Sequence, residues 1–188
     1  MCSTPTEEPA KAERLFFALW PDDDCRQQLH RDCKSLLRHA GGRPVSVENL
    51  HITLAFLGNV DVQQHRCIET MAEAIRSPTF ELNLDKAGHW PRSRALWLAP
   101  TQTPEPLSTL AAALHAGASD CGLKLDARPF RAHLTLKRKL DRAPRSLDFR
   151  PLAWRAESFV LVRSVTFQEG VRYEVLREWP LIPATAET

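Results

Sequence analysis

The spacing of apolar residues predicts three amphipathic helices. After Pro21, Asp61 and Pro104, apolar residues recur at intervals of three and four, which places them on one helical face. The three stripes are Cys25, Leu29, Cys33, Leu36 and Leu37; Ile68, Met71, Ala72 and Ile75; and Leu107, Leu110, Ala111 and Leu114. Asp61 and Gln64 predict a capping box before the second helix, and glycines at 41–42 and 122 end the first and third helices.

Short runs rich in apolar and β-branched residues predict strands. They cover 14–20, 51–57, 80–84, 95–99, 131–138, 157–167 and 171–179, and Gln168-Glu169-Gly170 is the expected hairpin turn between the last two. The order contains a repeat, because Leu15 to His51 and Leu96 to His133 each run through a strand, a helix and a second strand, over 36 and 37 positions. Two copies of one unit predict two pseudo-symmetric lobes that face each other.

The second strand of each copy begins with the same pattern, His51-Ile52-Thr53-Leu54 in one and His133-Leu134-Thr135-Leu136 in the other. Side chains alternate between faces along a strand, so each copy places a histidine and a threonine on one face. Ile52, Leu54 and Phe56 are expected on the opposite face, as are Leu134 and Leu136. Placed opposite each other, the copies predict a polar cleft that holds two imidazoles and two hydroxyls.

These side chains point to general acid–base catalysis. The sequence has no Gly-x-Ser-x-Gly, no glycine-rich phosphate loop and no His-Glu-x-x-His, and neither motif has a carboxylate or thiol neighbour, so we expect no metal and no cofactor. Imidazole titrates near neutral pH, so one ring can take a proton from water while the other protonates the departing oxygen of a phosphodiester. We expect Thr53 and Thr135 to donate hydrogen bonds to the phosphate oxygens, and Arg131 and Arg138 to bind the substrate.

Composition favours one globular domain. The chain has 188 residues, of which 43% are hydrophobic and 26% charged. We expect a disordered tail at 1–13, a single domain at 14–182 and a flexible C-terminus at 183–188. Since the apolar runs are shorter than the ~20 residues that cross a bilayer, and the N-terminus lacks a secretory pattern, we expect a cytoplasmic monomer. The net charge is only +2, but residues 128–150 carry eight basic side chains against two acidic ones, which suits a polyanion.

The cysteines and the remaining histidines are interpreted as structural. Cys2, Cys25, Cys33, Cys67 and Cys121 show no Cys-x-x-Cys spacing, so we expect small buried thiols and no disulfide framework. His30, His39, His65, His89 and His115 lack a threonine two residues on. Trp90 is either a core residue or a surface at the cleft edge on which a base stacks.

The paired motifs resemble the signature of the two-histidine phosphoesterase superfamily. HITLAFLGNV at 51–60 resembles the first motif of the bacterial RNA 2′,3′-cyclic phosphodiesterases, the ThpR or LigT ("2′-5′ RNA ligase") family. Further similarities lie at 13–21, 94–100, Gly170-x-x-Tyr173 and 179–181, so the resemblance extends over about residues 13–182. In the second motif Ala132 and Lys137 stand where the family usually has a proline and a small residue, whereas Arg138 matches the family's arginine.

The resemblance implies a bilobal α+β fold in which two antiparallel sheets flank a central cleft and helices lie outside. It implies hydrolysis of a 2′,3′-cyclic phosphate at an RNA 3′ end to a 2′-phosphomonoester, with His51 as proton donor and His133 as proton acceptor. Three alternatives stay open at this point. They are reversible 2′-5′ RNA ligation, another cyclic or 2′-5′ phosphodiester substrate, and a non-catalytic module that binds RNA ends through residues 128–150.

Overall fold

The computed structural model describes residues 12–142, 144, 147–168 and 170–183. Residues 1–11 of the expected tail at 1–13, which include Cys2, lie outside the described residues. So do the side chain of His39, Glu169 of the expected turn, the C-terminus from 184, and 143, 145 and 146 of the basic segment. Glu13, expected in the tail, already lies in the first strand, where its carboxylate accepts a hydrogen bond from Arg163.

The described residues fold into a mixture of helices and strands. The helices are α1 (Asp23–Asp32), α2 (Lys34–His39), α3 (Val62–Ala74) and α4 (Glu105–Asp120), with a 3₁₀ turn at Val47–Asn49. The strands are β1 (Glu13–Leu19), β2 (Arg43–Pro44), β3 (Ile52–Val60), β4 (Phe80–Leu84), β5 (Lys86–Trp90), β6 (Ala95–Ala99), β7 (Leu134–Arg138), β8 (Leu152–Ala156), β9 (Ser158–Phe167) and β10 (Gly170–Pro180). No helix in this part of the chain is both long and apolar enough to span a membrane.

The helices begin where the sequence predicts. The Asp61 carboxylate accepts from the Gln64 N–H, and the Gln64 side chain accepts from the Asp61 N–H, so the predicted capping box of α3 is present. In α4 the whole predicted apolar stripe is buried. The predicted first helix is wrong in one respect, because Cys33 leaves helical geometry (φ −89°, ψ 1°) and divides it into α1 and α2.

Antiparallel strands build the sheet in two halves. One half has the order β10-β9-β1-β3 and the other the order β7-β6-β5, with β2 also paired to β7. The halves meet where Ile52 of β3 pairs with Leu134 of β7, and β4 pairs with β8 in a separate small sheet. The α+β prediction is confirmed, with the two expected sheets joined at one edge.

The register of β3 corrects one expectation. Leu54 and Leu57 have no partner in β1, so β3 contains a bulge at each of these positions, and Gly58 adopts φ +76°. Beyond the bulges the pairing continues to Val60. A bulge reverses the alternation of faces beyond it. Phe56, expected on the buried face, therefore lies opposite Phe16 and is 47% exposed.

The cysteine prediction is wrong for two residues. Cys67 of α3 forms a disulfide with Cys121, the residue after α4. Because α3 and α4 pack side by side, the two Cα atoms lie 5.8 Å apart although 54 positions separate them in sequence, a proximity that spacing does not reveal. Cys33 is the buried thiol expected, and burial raises its pKa to about 12.

Candidate active site

The pairing of β3 with β7 brings the two His-x-Thr motifs together. Since Ile52 lies opposite Leu134 in an antiparallel pair, His51 lies beside Thr135 and Thr53 beside His133, with the histidines on one diagonal. Diagonal neighbours in such a pair lie about 7–8 Å apart, with their Cβ atoms somewhat closer. Ile52 and Leu134 are 0% exposed, whereas the four polar side chains are half-buried, so the polar quartet occupies the face opposite the core.

Each imidazole is held by a hydrogen bond to the backbone carbonyl two residues before it. His51 Nδ1 lies 2.7 Å from the carbonyl oxygen of Asn49, and His133 Nδ1 lies 2.7 Å from that of Arg131. A carbonyl oxygen only accepts, so each Nδ1 carries a proton and donates it. This contact fixes the tautomer and leaves Nε2 of each ring as the atom that takes up or releases a proton.

Aromatic rings enclose His51 more completely than His133. The His51 ring stacks on Trp20 (centroids 5.3 Å apart, 14° between planes) and contacts Phe16 at 5.0 Å and Tyr173 at 5.1 Å. His133 meets the ring of Trp90 at 4.6 Å. Trp90 therefore lines the site. Sequence alone does not assign Phe16 or Trp20 to the site, although alternation along β1 and into the residue that follows it places Phe16, Ala18 and Trp20 on one face.

The site disfavours positive charge on both imidazoles. Burial lowers the pKa of His51 to about 4, against the hydrogen bond to Asn49, and the charge of Arg138 and the nearby His133 lower this pKa further. Burial and the charge of Arg138 also lower the pKa of His133, against its hydrogen bond to Arg131. Without a ligand, His51 is therefore neutral at pH 7 and His133 mostly so.

The residues predicted to bind the substrate and its phosphate differ in their contacts and exposure. Arg138 is exposed and its charge acts on both rings. Arg131 holds His133 through its carbonyl, and its exposed guanidinium stays a prediction for substrate binding. The hydroxyls of Thr53 and Thr135 make no hydrogen bond within the described residues, which leaves both able to donate to a ligand.

Lys137, one of the departures from the family pattern, is buried beside the site. It is 7% exposed, and its ammonium group donates to the carbonyl of Ala40, the residue after α2. Its backbone pairs with Pro44 of β2. Lys137 therefore ties the end of α2 to the strand that carries His133. Within the described part of the chain, no three His, Cys, Asp or Glu side chains form a group that would hold a metal ion.

Known proteins are similar to this chain in sequence and in fold. The family model described as the 2′-5′ RNA ligase superfamily matches residues 20–166. RNA 2′,3′-cyclic phosphodiesterase of Escherichia coli is 35% identical over 176 residues, which cover 92% of this chain and 98% of the relative. The enzyme of the same name from Thermus thermophilus is 28% identical over 180 residues, which cover 89% and 90%.

Solved structures agree with these relatives. The crystal structure of E. coli LigT in apo form has a TM-score of 0.81 at 36% identity, and the match covers 92% of this chain and 99% of that one. The complex of E. coli LigT with 3′-AMP has a TM-score of 0.79 at 36% identity, covering 93% and 99%. The chain therefore belongs to the 2′-5′ RNA ligase superfamily.

Proposed function

We propose that this chain hydrolyses the 2′,3′-cyclic phosphate at an RNA 3′ end and leaves a 2′-phosphomonoester and a free 3′-hydroxyl. The observation that carries the proposal is the pair of imidazoles on one diagonal, each with Nδ1 bound to a carbonyl. This arrangement supports the proposal that the two Nε2 atoms act on opposite sides of one phosphorus. The curated relatives named RNA 2′,3′-cyclic phosphodiesterase support the choice of substrate.

In the proposed reaction a water molecule attacks the phosphorus in line with the departing oxygen. His133 Nε2 takes a proton from the water as its oxygen bonds to phosphorus. The bond from phosphorus to the 3′ oxygen breaks, and that oxygen takes a proton from His51 Nε2. Thr53 and Thr135, on the other diagonal, donate hydrogen bonds to the non-bridging oxygens, where charge develops in the transition state. Arg138 adds a positive charge beside both rings.

The proton donor must be charged before it acts. In the unliganded protein the pKa of His51 is lowered to about 4, so the ring is neutral at pH 7. A phosphate anion beside His51 favours the charged form of that ring and opposes the effect of Arg138, while His133 acts in its neutral form. Substrate binding is therefore expected to be accompanied by proton uptake, and calorimetry in buffers of different ionisation enthalpy measures that uptake.

The test is incubation with an oligonucleotide that ends in a 2′,3′-cyclic phosphate, in the presence of EDTA. We expect a product with a phosphatase-sensitive 2′-phosphate. The rate of hydrolysis should fall by about 10²- to 10⁴-fold in His51→Ala and in His133→Ala. His115→Ala is the control, because His115 lies on α4 and its Nε2 faces the carbonyl of Asp126. Wild-type rates in either active-site variant would contradict the proposal.

A second candidate activity is 2′-5′ RNA ligation, which the description of the matching family model favours. The 5′-hydroxyl of another RNA would take the place of the attacking water, so the same two imidazoles would serve. Adding an oligonucleotide with a free 5′-hydroxyl distinguishes the two activities, because ligation gives a longer product. A module that only binds RNA ends would give no product in either assay.

The expected location and oligomeric state are also proposals. A cytoplasmic location contrasts with the Cys67–Cys121 disulfide, since disulfides are more usual in oxidising compartments. Cell fractionation tests the location, and sedimentation tests the expected monomer.

A further inference from the structure

An exposed phenylalanine lies on the face of the sheet that carries His51 and His133, at a distance from both histidines. Phe56 is 47% exposed and lies opposite Phe16 across the β1–β3 pair. Phe16 in turn contacts the ring of His51, with centroids 5.0 Å apart. Phe56 follows His51 by five residues in β3, which corresponds to at most about 16 Å along a strand. It is therefore on the same face as the polar quartet and outside the quartet itself.

Phe56 is one end of an apolar row that crosses the sheet. Phe16 lies opposite Val162, and Val162 opposite Val175, so the row runs through β3, β1, β9 and β10. Phe16 and Val162 are 3% and 0% exposed, whereas Val175 at the far end is 40% exposed. Only the two ends of the row, Phe56 and Val175, are therefore exposed, and the ring of Phe56 is the part that offers a flat face to a base.

A free cation accompanies Phe56. The guanidinium of Arg14 lies 5.0 Å from the centroid of the Phe56 ring, and its side chain is exposed. Within the described residues Arg14 makes no ion pair, whereas Arg163, its near neighbour on the opposite face, is bound by Glu13 and Glu174. The charge of Arg14 is therefore available to an external anion. An aromatic ring with an adjacent arginine matches a nucleotide, because the base stacks and the phosphate meets the guanidinium.

We propose that Phe56 and Arg14 bind a nucleotide upstream of the RNA end, so that the chain prefers an oligonucleotide to a cyclic mononucleotide. This inference rests on the proposed function, because the reacting end of the RNA is taken to lie at the two histidines. The occupant is RNA, since Phe56 lies on the same face as His51 and the unpaired charge of Arg14 beside its ring is positive.

The experiment compares kcat/KM for two substrates, a short RNA that ends in a 2′,3′-cyclic phosphate and adenosine 2′,3′-cyclic phosphate. Phe56→Ala is expected to lower kcat/KM for the RNA by about 5- to 150-fold, mainly through KM, and to leave the mononucleotide unchanged. Phe56→Tyr keeps the ring and is expected to keep the rate. Arg14→Gln is expected to reduce the slope of log kcat/KM against log salt concentration by about 0.7 for the RNA.

The chain provides a matched control. Phe167 is 49% exposed and carries Arg172 at 5.4 Å from its ring centroid. By strand alternation this pair lies on the face opposite Tyr173 and the histidines. Phe167→Ala should therefore leave both rates unchanged.

The outcomes separate the two proposals. A wild-type protein inactive on both substrates would refute the proposed function. If the wild type is active, a Phe56→Ala variant that leaves both rates unchanged, or lowers both equally, would refute this inference and leave the proposed function standing. Hydrolysis of the mononucleotide also reports whether each variant has folded with an intact site.

Discussion

The low pKa of His51 makes the stability of the protein depend on pH. An unperturbed imidazole titrates near 6.5, whereas burial, Arg138 and His133 lower the pKa of His51 to about 4 in the folded chain. Between these values the unfolded chain binds more protons than the folded one, so the contribution is complete above pH 6.5 and is lost as the pH falls towards 4. At about 1.4 kcal/mol per pH unit, the change from 6.5 to about 4 corresponds to a loss of about 3 kcal/mol.

The substitution His51→Gln removes the titrating ring. Urea unfolding at pH 7 and pH 4 should show the wild type losing about 3 kcal/mol more of its free energy of unfolding than the variant does. His115→Gln is the control, because that ring is exposed on α4, and it should behave as the wild type. An equal pH dependence in wild type and His51→Gln, or an NMR titration that gives His51 a pKa of 6.5 or higher, would refute the reasoning.

Other substitutions test the surroundings of the site and the scaffold. Arg138→Gln should raise the pKa of both active-site imidazoles, because it removes a positive charge that acts on each; NMR titration checks this, and an unchanged pKa would contradict it. Asp61→Ala removes the capping box of α3 and should cost about 0.5–2 kcal/mol in urea unfolding, while a stability within error of the wild type would show that the cap contributes nothing. Cys67→Ser should lower the free energy of unfolding by about 2–4 kcal/mol and abolish the destabilisation of the protein by dithiothreitol. A variant that dithiothreitol destabilises as much as the wild type would show that the Cys67–Cys121 disulfide is not the cause of that effect.

Sequence periodicity predicts the elements with one clear buried face. The helical stripes locate α3 and α4, because burial of a single face sets the spacing of their apolar residues. Strand alternation likewise places Ile52 and Leu134 in the core and the histidines on the other face. The repeated motif therefore predicts a shared site, which lies where β3 pairs with β7.

Features set by distant pairing could not be predicted in this way. The face of Phe56 depends on bulges that only the register with β1 defines. The apolar pattern does not predict β8 either, because this strand is short and pairs with β4, which lies far earlier in the chain. It misses β5 for a different reason, because Lys86, Gly88 and His89 interrupt the apolar pattern although the partner strand β6 follows directly. Trp20 belonged to a run that is apolar on both faces, so the sequence did not show which face lines the cleft.

The central claim is that His51 and His133 act together on one phosphate. The most direct measurement is a double-variant cycle on an RNA that ends in a 2′,3′-cyclic phosphate, comparing His51→Ala, His133→Ala and the double variant under single-turnover conditions. Groups that act as a unit are not additive, so the double variant should be about as slow as the slower single variant. Losses that multiply, or a single variant that retains the wild-type rate, would show that the two imidazoles do not share one reaction.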